Sequence, residues 1–430
     1  MDRTKNRLPN WGIQKLSTHL TMKFIKEQLF FILCLLLIGG LFLLDVIRIL
    51  PSMSMIGITL LGLFYWLQKD ETKIPTNTSP YLLLTLCFWM LLPSYLYSDN
   101  VAYFYQKLQL ALPFLLLPLA FSKIPVLPKI QYVRLLLFFV IGTFLISLYA
   151  FINYLTHQDL INQMYLESKV MPTLVSHHPT FSMMIVFAIY LSYYLYVEKE
   201  LILFKNEKLV LIIMGLFLFV FIHIFSVRSG LLALYLLVGI EILKLIFKRK
   251  QIKLAIYIGA SLLLLGLTTM YLSPTVSNKI TNTSADLQAI NNNQSANNQS
   301  LSSRFISYKN ALEINQTSSF WWGCGLGDIE DLNNSIFQQK YPDVSKPIIP
   351  HNQFLYYFAS LGFIGLCLFI IGYFGVYFSN KSYTDSILGT HLVLSIVYFL
   401  VESPLVTQIG VAYLLSFLLL GLQQKLAGNR

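Results

Sequence analysis

Arg228, Arg304 and His351 are the side chains whose types and positions could carry chemistry. Arg228 stands in Ser226-Val227-Arg228-Ser229-Gly230, between two apolar runs. An arginine at that depth costs free energy unless it is paired or reaches water. One reading is a side chain snorkelling from a helix end. The other is an anion site, because Ser229 and Gly230 would open a helix whose free N–H groups and dipole favour a phosphate. Arg304 opens a helical pattern within a polar stretch, where the dipole slightly disfavours a cation; a solvated surface arginine is the plainer reading. His351, followed by Asn352, stands where that polar stretch returns to apolar sequence. An imidazole titrates near pH 6.5, which suits it to general-base work, although interfacial histidines are often structural.

Other residues offer weaker signals. Glu402, in Glu402-Ser403-Pro404, marks a turn between two apolar runs, and His177 and His178 open another run. A structural hydrogen bond explains each at least as well as a functional role. Gly323-Cys324-Gly325-Leu326-Gly327 looks like a nucleotide loop, but no strand–helix context surrounds it; a tight turn against a membrane surface fits better. Asp328, Glu330 and Asp331 could hold a divalent cation. Their spacing is common and acids are ordinary at a helix start, so no metal is assigned. Lys309 and Glu313 are spaced to pair along a helix. Cys34, Cys87 and Cys367 lie in apolar runs and only Cys324 in polar sequence, which suggests neither a disulfide framework nor a cysteine metal site.

The elements that must position these residues are apolar. Of 430 residues, 56% are hydrophobic and 12% charged, against about 25% charged in soluble domains. Apolar runs near the roughly 20 residues that cross a bilayer recur throughout, which excludes a soluble globular class. The pattern predicts an all-α polytopic membrane protein with about twelve spans. They fall at 29–44, 51–67, 80–97, 103–121, 131–154, 177–197, 207–225, 229–247 and 251–272, then 351–378, 385–401 and 404–423. Prolines 93, 113 and 118 lie in or near spans, where neighbouring helices can satisfy the freed backbone. The chain divides into a basic tail at 1–28, a nine-span part at 29–272, a large polar loop at 273–350 and a three-span part at 351–424. Most of the 31 Lys and Arg fall on one side of this layout. Cytoplasmic loops carry that excess, so both termini are expected inside and the large loop outside. The net charge of +11 therefore reflects topology and does not imply nucleic acid.

Within the large loop, Thr281–Ser303 is rich in Asn, Gln and Ser and reads as a mobile segment. Leu301–Asn315 reads as a helix with Phe305, Tyr308 and Leu312 at helical spacing. A second short helix is expected at Asp328–Gln339, and Pro342, Pro347 and Pro350 return the chain to the membrane.

Four pieces in order resemble the O-antigen ligase and O-antigen polymerase superfamily, over roughly 210–425. They are Ser226-Val227-Arg228-Ser229-Gly230; Arg304 with Tyr308, Ala311 and Leu312 running into Gly323–Gly327; His351-Asn352 with Gly362 and Gly365; and Glu402-Ser403-Pro404-Leu405 with Gln408 and Gly410. The resemblance implies an inverting glycosyltransferase in the bacterial inner membrane, working at its periplasmic face without a cofactor. Its donor would be a glycan on undecaprenyl diphosphate, and its acceptor lipid A-core in a ligase or another lipid-linked glycan in a polymerase. By the same analogy Arg228 and Arg304 hold the diphosphate and His351 is the catalytic base, with Asn352, Ser229, His178 and Glu402 as supporting candidates. Arginine binds phosphate oxygens bidentately and stays charged, so two could stabilise a departing diphosphate. Ligation leads polymerisation only slightly on this reading. A transporter or flippase is the rival class. It predicts midplane charges and broken helices, whereas the notable polar residues here cluster at the outer rim.

Overall fold

The computed structural model describes residues 28–68, 77–167, 169–197, 204–247, 250–272, 300–342 and 347–428. Most of the expected basic tail, and Thr281–Gln299 of the expected mobile segment, lie outside the described residues. Among the described residues the structure is helical, with one isolated bridge between Ser319 and Gly323.

The first part comprises α1 (Gln28–Leu43), α2 (Ile49–Gln68), an interrupted helix α3 (Ser79–Leu96), α4 (Val101–Phe121) and α5 (Lys129–Thr156). A short α6 (Gln158–Leu166) follows, then α7 (His178–Val197), α8 (Glu207–Phe225), α9 (Arg228–Phe247) and α10 (Ile252–Leu272). The polar loop contributes α11 (Ser300–Thr317) and α12 (Ile329–Lys340). The last part holds a long interrupted α13 (Gln353–Thr384), then α14 (Ser386–Val401) and α15 (Gln408–Gly428). Among the described residues nine helices are long and apolar enough to cross a membrane, and shorter apolar helices lie at Gln28–Leu43, Ile252–Ser261 and Ser386–Val401.

Apolar side chains are exposed along many of these helices, among them Leu60, Leu63 and Leu67 of α2 and Leu145, Tyr149 and Ile152 of α5. A water-soluble surface does not carry apolar patches of that extent, whereas bilayer hydrocarbon accepts them. The centre is formed by α15, which is buried almost throughout its length. Phe139 of α5, Phe187 of α7 and Phe417 of α15 meet edge-on there, with centroids 4.6 and 5.0 Å apart. Several buried polar groups in the bundle pair with one another, as a low-dielectric interior favours: Tyr377 and His391 Nδ1 are 2.6 Å apart, and Tyr373 meets Ser395 at 3.0 Å.

Helix ends follow local chemistry. Asn100 caps α4 by accepting from Tyr103 N, and Asp385 caps α14 by accepting from Ile387 N and Leu388 N, each at 3.0 Å. Pro113 and Pro118 sit inside an unbroken α4, whereas Pro93 falls in the 3-10 turn that ends α3. The last span starts later than its sequence pattern implies, because Pro404–Val406 forms a separate 3-10 turn before Gln408. Unforeseen from sequence, α6 fills the link between α5 and α7. It buries Ile161 and Tyr165, and the Tyr165 hydroxyl donates to Phe225 O at 2.7 Å.

Inside the polar loop the two expected helices form close to their expected bounds, while the expected Lys309–Glu313 pair does not form. Phe305 and Leu312 point outward; α11 instead buries Ile306, Ala311 and Ile314. The reason is its seat on α13, where Asn315 Nδ2 donates to Phe358 O at 3.0 Å. Glu313 pairs with Lys340 of α12, at 2.6 Å, and not with Lys309. The α11–α12 packing brings the end of α12 alongside, and Lys309 instead lies 4.6 Å from the Phe305 ring centroid.

The glycine-rich turn at 323–327 is structural. Gly323 and Gly325 have φ of +72° and +103°, a region that only glycine enters without strain. Their segment is sewn onto the break in α13: Cys324 N donates to Ala359 O, Gly325 N to Ser360 O and Phe363 N to Phe320 O, all at 2.9–3.0 Å. Gly362, at φ +67°, makes the break, and a Cβ there would lie 2.3 Å from the Trp321 carbonyl carbon.

Candidate active site

Two stretches far apart in sequence meet where α13 begins and α14 ends. Asn352 is extended and caps α13, its side chain accepting from Leu355 N at 3.0 Å. Its amide also donates to Leu400 O at 3.1 Å. Glu402 ends α14 with an extended backbone, and Pro404 prevents the helix from continuing. The two ends are tied directly. Ser403 Oγ donates to Pro350 O, and Leu405 N donates to Gln353 Oε1 at 2.9 Å. From above, the Tyr308 hydroxyl of α11 reaches His351 O at 2.8 Å.

This seam brings His351 Nδ1 within 2.5 Å of Glu402 Oε1. Arg304 approaches the other carboxylate oxygen, with Nη2 4.0 Å from Oε2. Arg304 lies one turn inside α11, not at its first residue, and this is what lets it reach down to the seam. The glutamate is only 6% exposed. Burial alone would push its carboxyl up. The hydrogen bond with His351 and the charges of His351, Arg304 and His177 more than offset that, holding Glu402 below the ordinary carboxylate range.

His177 joins the group from the start of α7. Burial lowers its pKa, and His351 adds to that while Glu402 and Asp45 oppose it. Its Nδ1 meets Thr180 Oγ1 at 2.7 Å, and Thr180 meets the Tyr398 hydroxyl on α14. Asp45 accepts from Ser176 N and Oγ, at 2.6 and 3.0 Å, which fixes the approach to His177.

The arrangement can carry out proton transfer. Neutral His351 donating from Nδ1 to the carboxylate has a fixed tautomer, with Nε2 left as acceptor. A buried carboxylate also stabilises the imidazolium that forms when Nε2 takes a proton, the logic of a base oriented by a third group.

The remaining candidates divide. Arg228 is the first residue of α9, after a left-handed Ser226 whose hydroxyl donates to His223 O at 2.5 Å. It stands at the same end of the bundle, since the His178 and Phe225 rings meet edge-on at 5.9 Å. The charges acting on Glu402, however, are those of His351, Arg304 and His177. Ser229 faces Ser182 of α7 at 3.4 Å, and Gly230 is packing-driven, because a Cβ there would lie 2.6 Å from Ser182 Cβ. His178 turns to Phe225, so it is His177 that faces the pair. Sequence reading names His178 as the supporting candidate, because residue type alone does not separate adjacent histidines at a helix start. The acids of the polar loop serve the fold: Asp328 accepts from Asp99 N and Asn100 N, and Asp331 accepts from Asn100 Nδ2 at 2.7 Å. Among the described residues no three His, Cys, Asp or Glu are grouped to hold a metal. Burial pushes the Cys324 thiol up to about 12, too high for a nucleophile.

A family model described as O-antigen ligase matches residues 209–370, a stretch that includes Arg228, Arg304, His351 and Asn352. The resemblance carried by those motifs is thereby borne out, and Glu402 lies beyond the matched residues. No curated protein matches the chain.

Proposed function

We propose, from the premise that residues 209–370 carry an O-antigen ligase domain, that this chain moves a glycan from a polyprenyl diphosphate to an acceptor hydroxyl. The acceptor we assign is lipid A-core. The membrane is the bacterial inner membrane, crossed twelve times, with the polar loop and the site on the periplasmic face. The nine long apolar helices and the three shorter ones support that layout.

The observation that carries the reading is the His351–Glu402 pair with Arg304 beside it. In the reaction the acceptor oxygen attacks the anomeric carbon from the face opposite the leaving group. The sugar–oxygen bond to the diphosphate breaks, and the configuration inverts. The acceptor proton passes to His351 Nε2, while Glu402 holds Nδ1–H and balances the new positive charge. The leaving lipid diphosphate gains negative charge, which Arg304 and Arg228 neutralise. Arg304 at 4.0 Å from Glu402 is close enough to be held in readiness and long enough to turn to a phosphate. The donor is already activated, so no nucleotide is consumed.

Deleting the gene and separating the surface glycans on a gel tests the reading. Ligation predicts loss of long chains from lipid A-core with lipid-linked polymer accumulating. A single-repeat cap on the core would make the enzyme a polymerase, and unchanged glycans would remove it from this chemistry.

A further inference from the structure

A cavity of about 430 Å³ with a mixed polar and apolar lining opens between α2, α4 and α15. It presents Arg48 and Ser52 from the start of α2, Gln106 and Gln109 from α4, and Gln408 from the start of α15. The glutamines of α4 are exposed and three residues apart, hence on one face. Polar side chains facing out of an apolar span are costly and usually functional. The facing wall is apolar, with Met55, Leu110 and Val411. Gln408 holds the cavity's rim together, its Nε2 lying 2.9 Å from Ser52 Oγ and 3.3 Å from Arg48 O.

Two short stretches of chain link this cavity to the active site. Glu402 leads to Gln408 through the single 3-10 turn at Pro404–Val406. On the other side Arg48 follows closely on Asp45, which holds Ser176 beside His177. Pocket volume and mixed lining suit a headgroup-sized ligand. One guanidinium matches one phosphate; amide side chains, each both donor and acceptor, match sugar hydroxyls. The apolar wall, continuing into the exposed Ile49 and Met53, matches hydrocarbon chains.

We infer that this cavity seats the phosphorylated sugar headgroup of the acceptor glycolipid, so that its hydroxyl is presented to His351. The inference rests on the glycan-transfer reading. A site with a single cation and three amides fits a monophosphate sugar better than a diphosphate, and Arg304 and Arg228 are committed to the donor.

The test uses the full chain in nanodiscs, with Arg48→Gln and, separately, a Gln106→Leu/Gln109→Leu double variant, both verified as folded by thermal unfolding. Leucine is compatible with a lipid-facing helix, so the second variant remains informative if the first is unstable. Transfer should show the KM for lipid A-core raised about tenfold or more, with donor KM within about twofold of wild type. An unchanged acceptor KM, or a raised donor KM instead, overturns the inference. Binding of labelled lipid A-core without donor is measured in parallel. Wild-type binding weakened by both variants supports the inference. No wild-type binding, or displacement by millimolar inorganic phosphate alone, overturns it. A wild type that binds the glycolipid yet transfers nothing defeats the glycan-transfer reading and leaves the cavity assignment standing.

Discussion

His351→Ala leaves a buried Glu402 beside Arg304 with no imidazole between them and the acceptor. Transfer should fall by about 10²-fold or more, while membrane insertion, checked by fractionation, persists. Retained transfer would remove His351 as the base. Glu402→Gln keeps the shape but not the charge, so its loss should fall on kcat more than on either KM. A pH signature separates it from a merely structural change. The Glu402 carboxyl is held below its ordinary range in the folded chain. Its contribution to stability is therefore complete above the ordinary carboxylate pKa and is lost as pH falls through the lowered value. The Tm difference between wild type and Glu402→Gln should shrink as pH falls through the lowered carboxyl value; a difference that stayed the same through that acid range would contradict the pairing. The histidine, and the arginine that lies near its glutamate partner, were legible in the sequence because their residue types are unusual at a membrane surface. The partnership with Glu402 was not, because 51 residues separate the two and only the folded seam joins them.

At the scale of elements, long apolar runs were legible nearly to the residue: Val101–Phe121 and Glu207–Phe225 lie within about a turn of where hydropathy puts them. Breaks were not. Hydropathy is blind to Gly362, whose positive φ comes from the backbone of another segment pressing on it. The buried face of α11 was not legible for a similar reason, since what it packs against is a span about 40 residues on. Gly362→Ala should thus be disruptive, combining backbone strain of about 1–3 kcal/mol, at a φ of +67° and ψ of −167° that essentially only glycine adopts, with a clash against the Trp321 carbonyl. We expect a clear fall in Tm and loss of transfer together, read by thermal unfolding and activity; a wild-type Tm would show that the turn is not locked there. Lys340→Ala is the contrast. Its ion pair with Glu313 is half exposed and such pairs contribute about 0–1 kcal/mol, so Tm and transfer should barely move. A large effect would mean that the α11–α12 contact governs how Arg304 is held.

At the scale of the whole molecule, the chain puts its functional polar groups at one end of a lipid-facing bundle. His351, Glu402, His177, Arg228 and Arg48 lie where helices begin or end, and Arg304 lies one turn into α11. That distribution suits the substrates we propose: a hydrocarbon tail needs the apolar flank of the bundle, and a charged diphosphate needs its aqueous rim. It also makes orientation decisive, because the same site on the cytoplasmic side would meet different lipids. The charge asymmetry of the loops is our ground for proposing that the polar loop lies outside, a placement that labelling can check. In a background with the four cysteines replaced, Gln339→Cys in α12 and Tyr383→Cys at the end of α13 are both exposed positions. An impermeant maleimide added to spheroplasts should label Gln339→Cys at once and Tyr383→Cys only after the membrane is opened. The reverse pattern would turn the bundle over, place His351 in the cytoplasm, and end the case for a periplasmic glycan transferase.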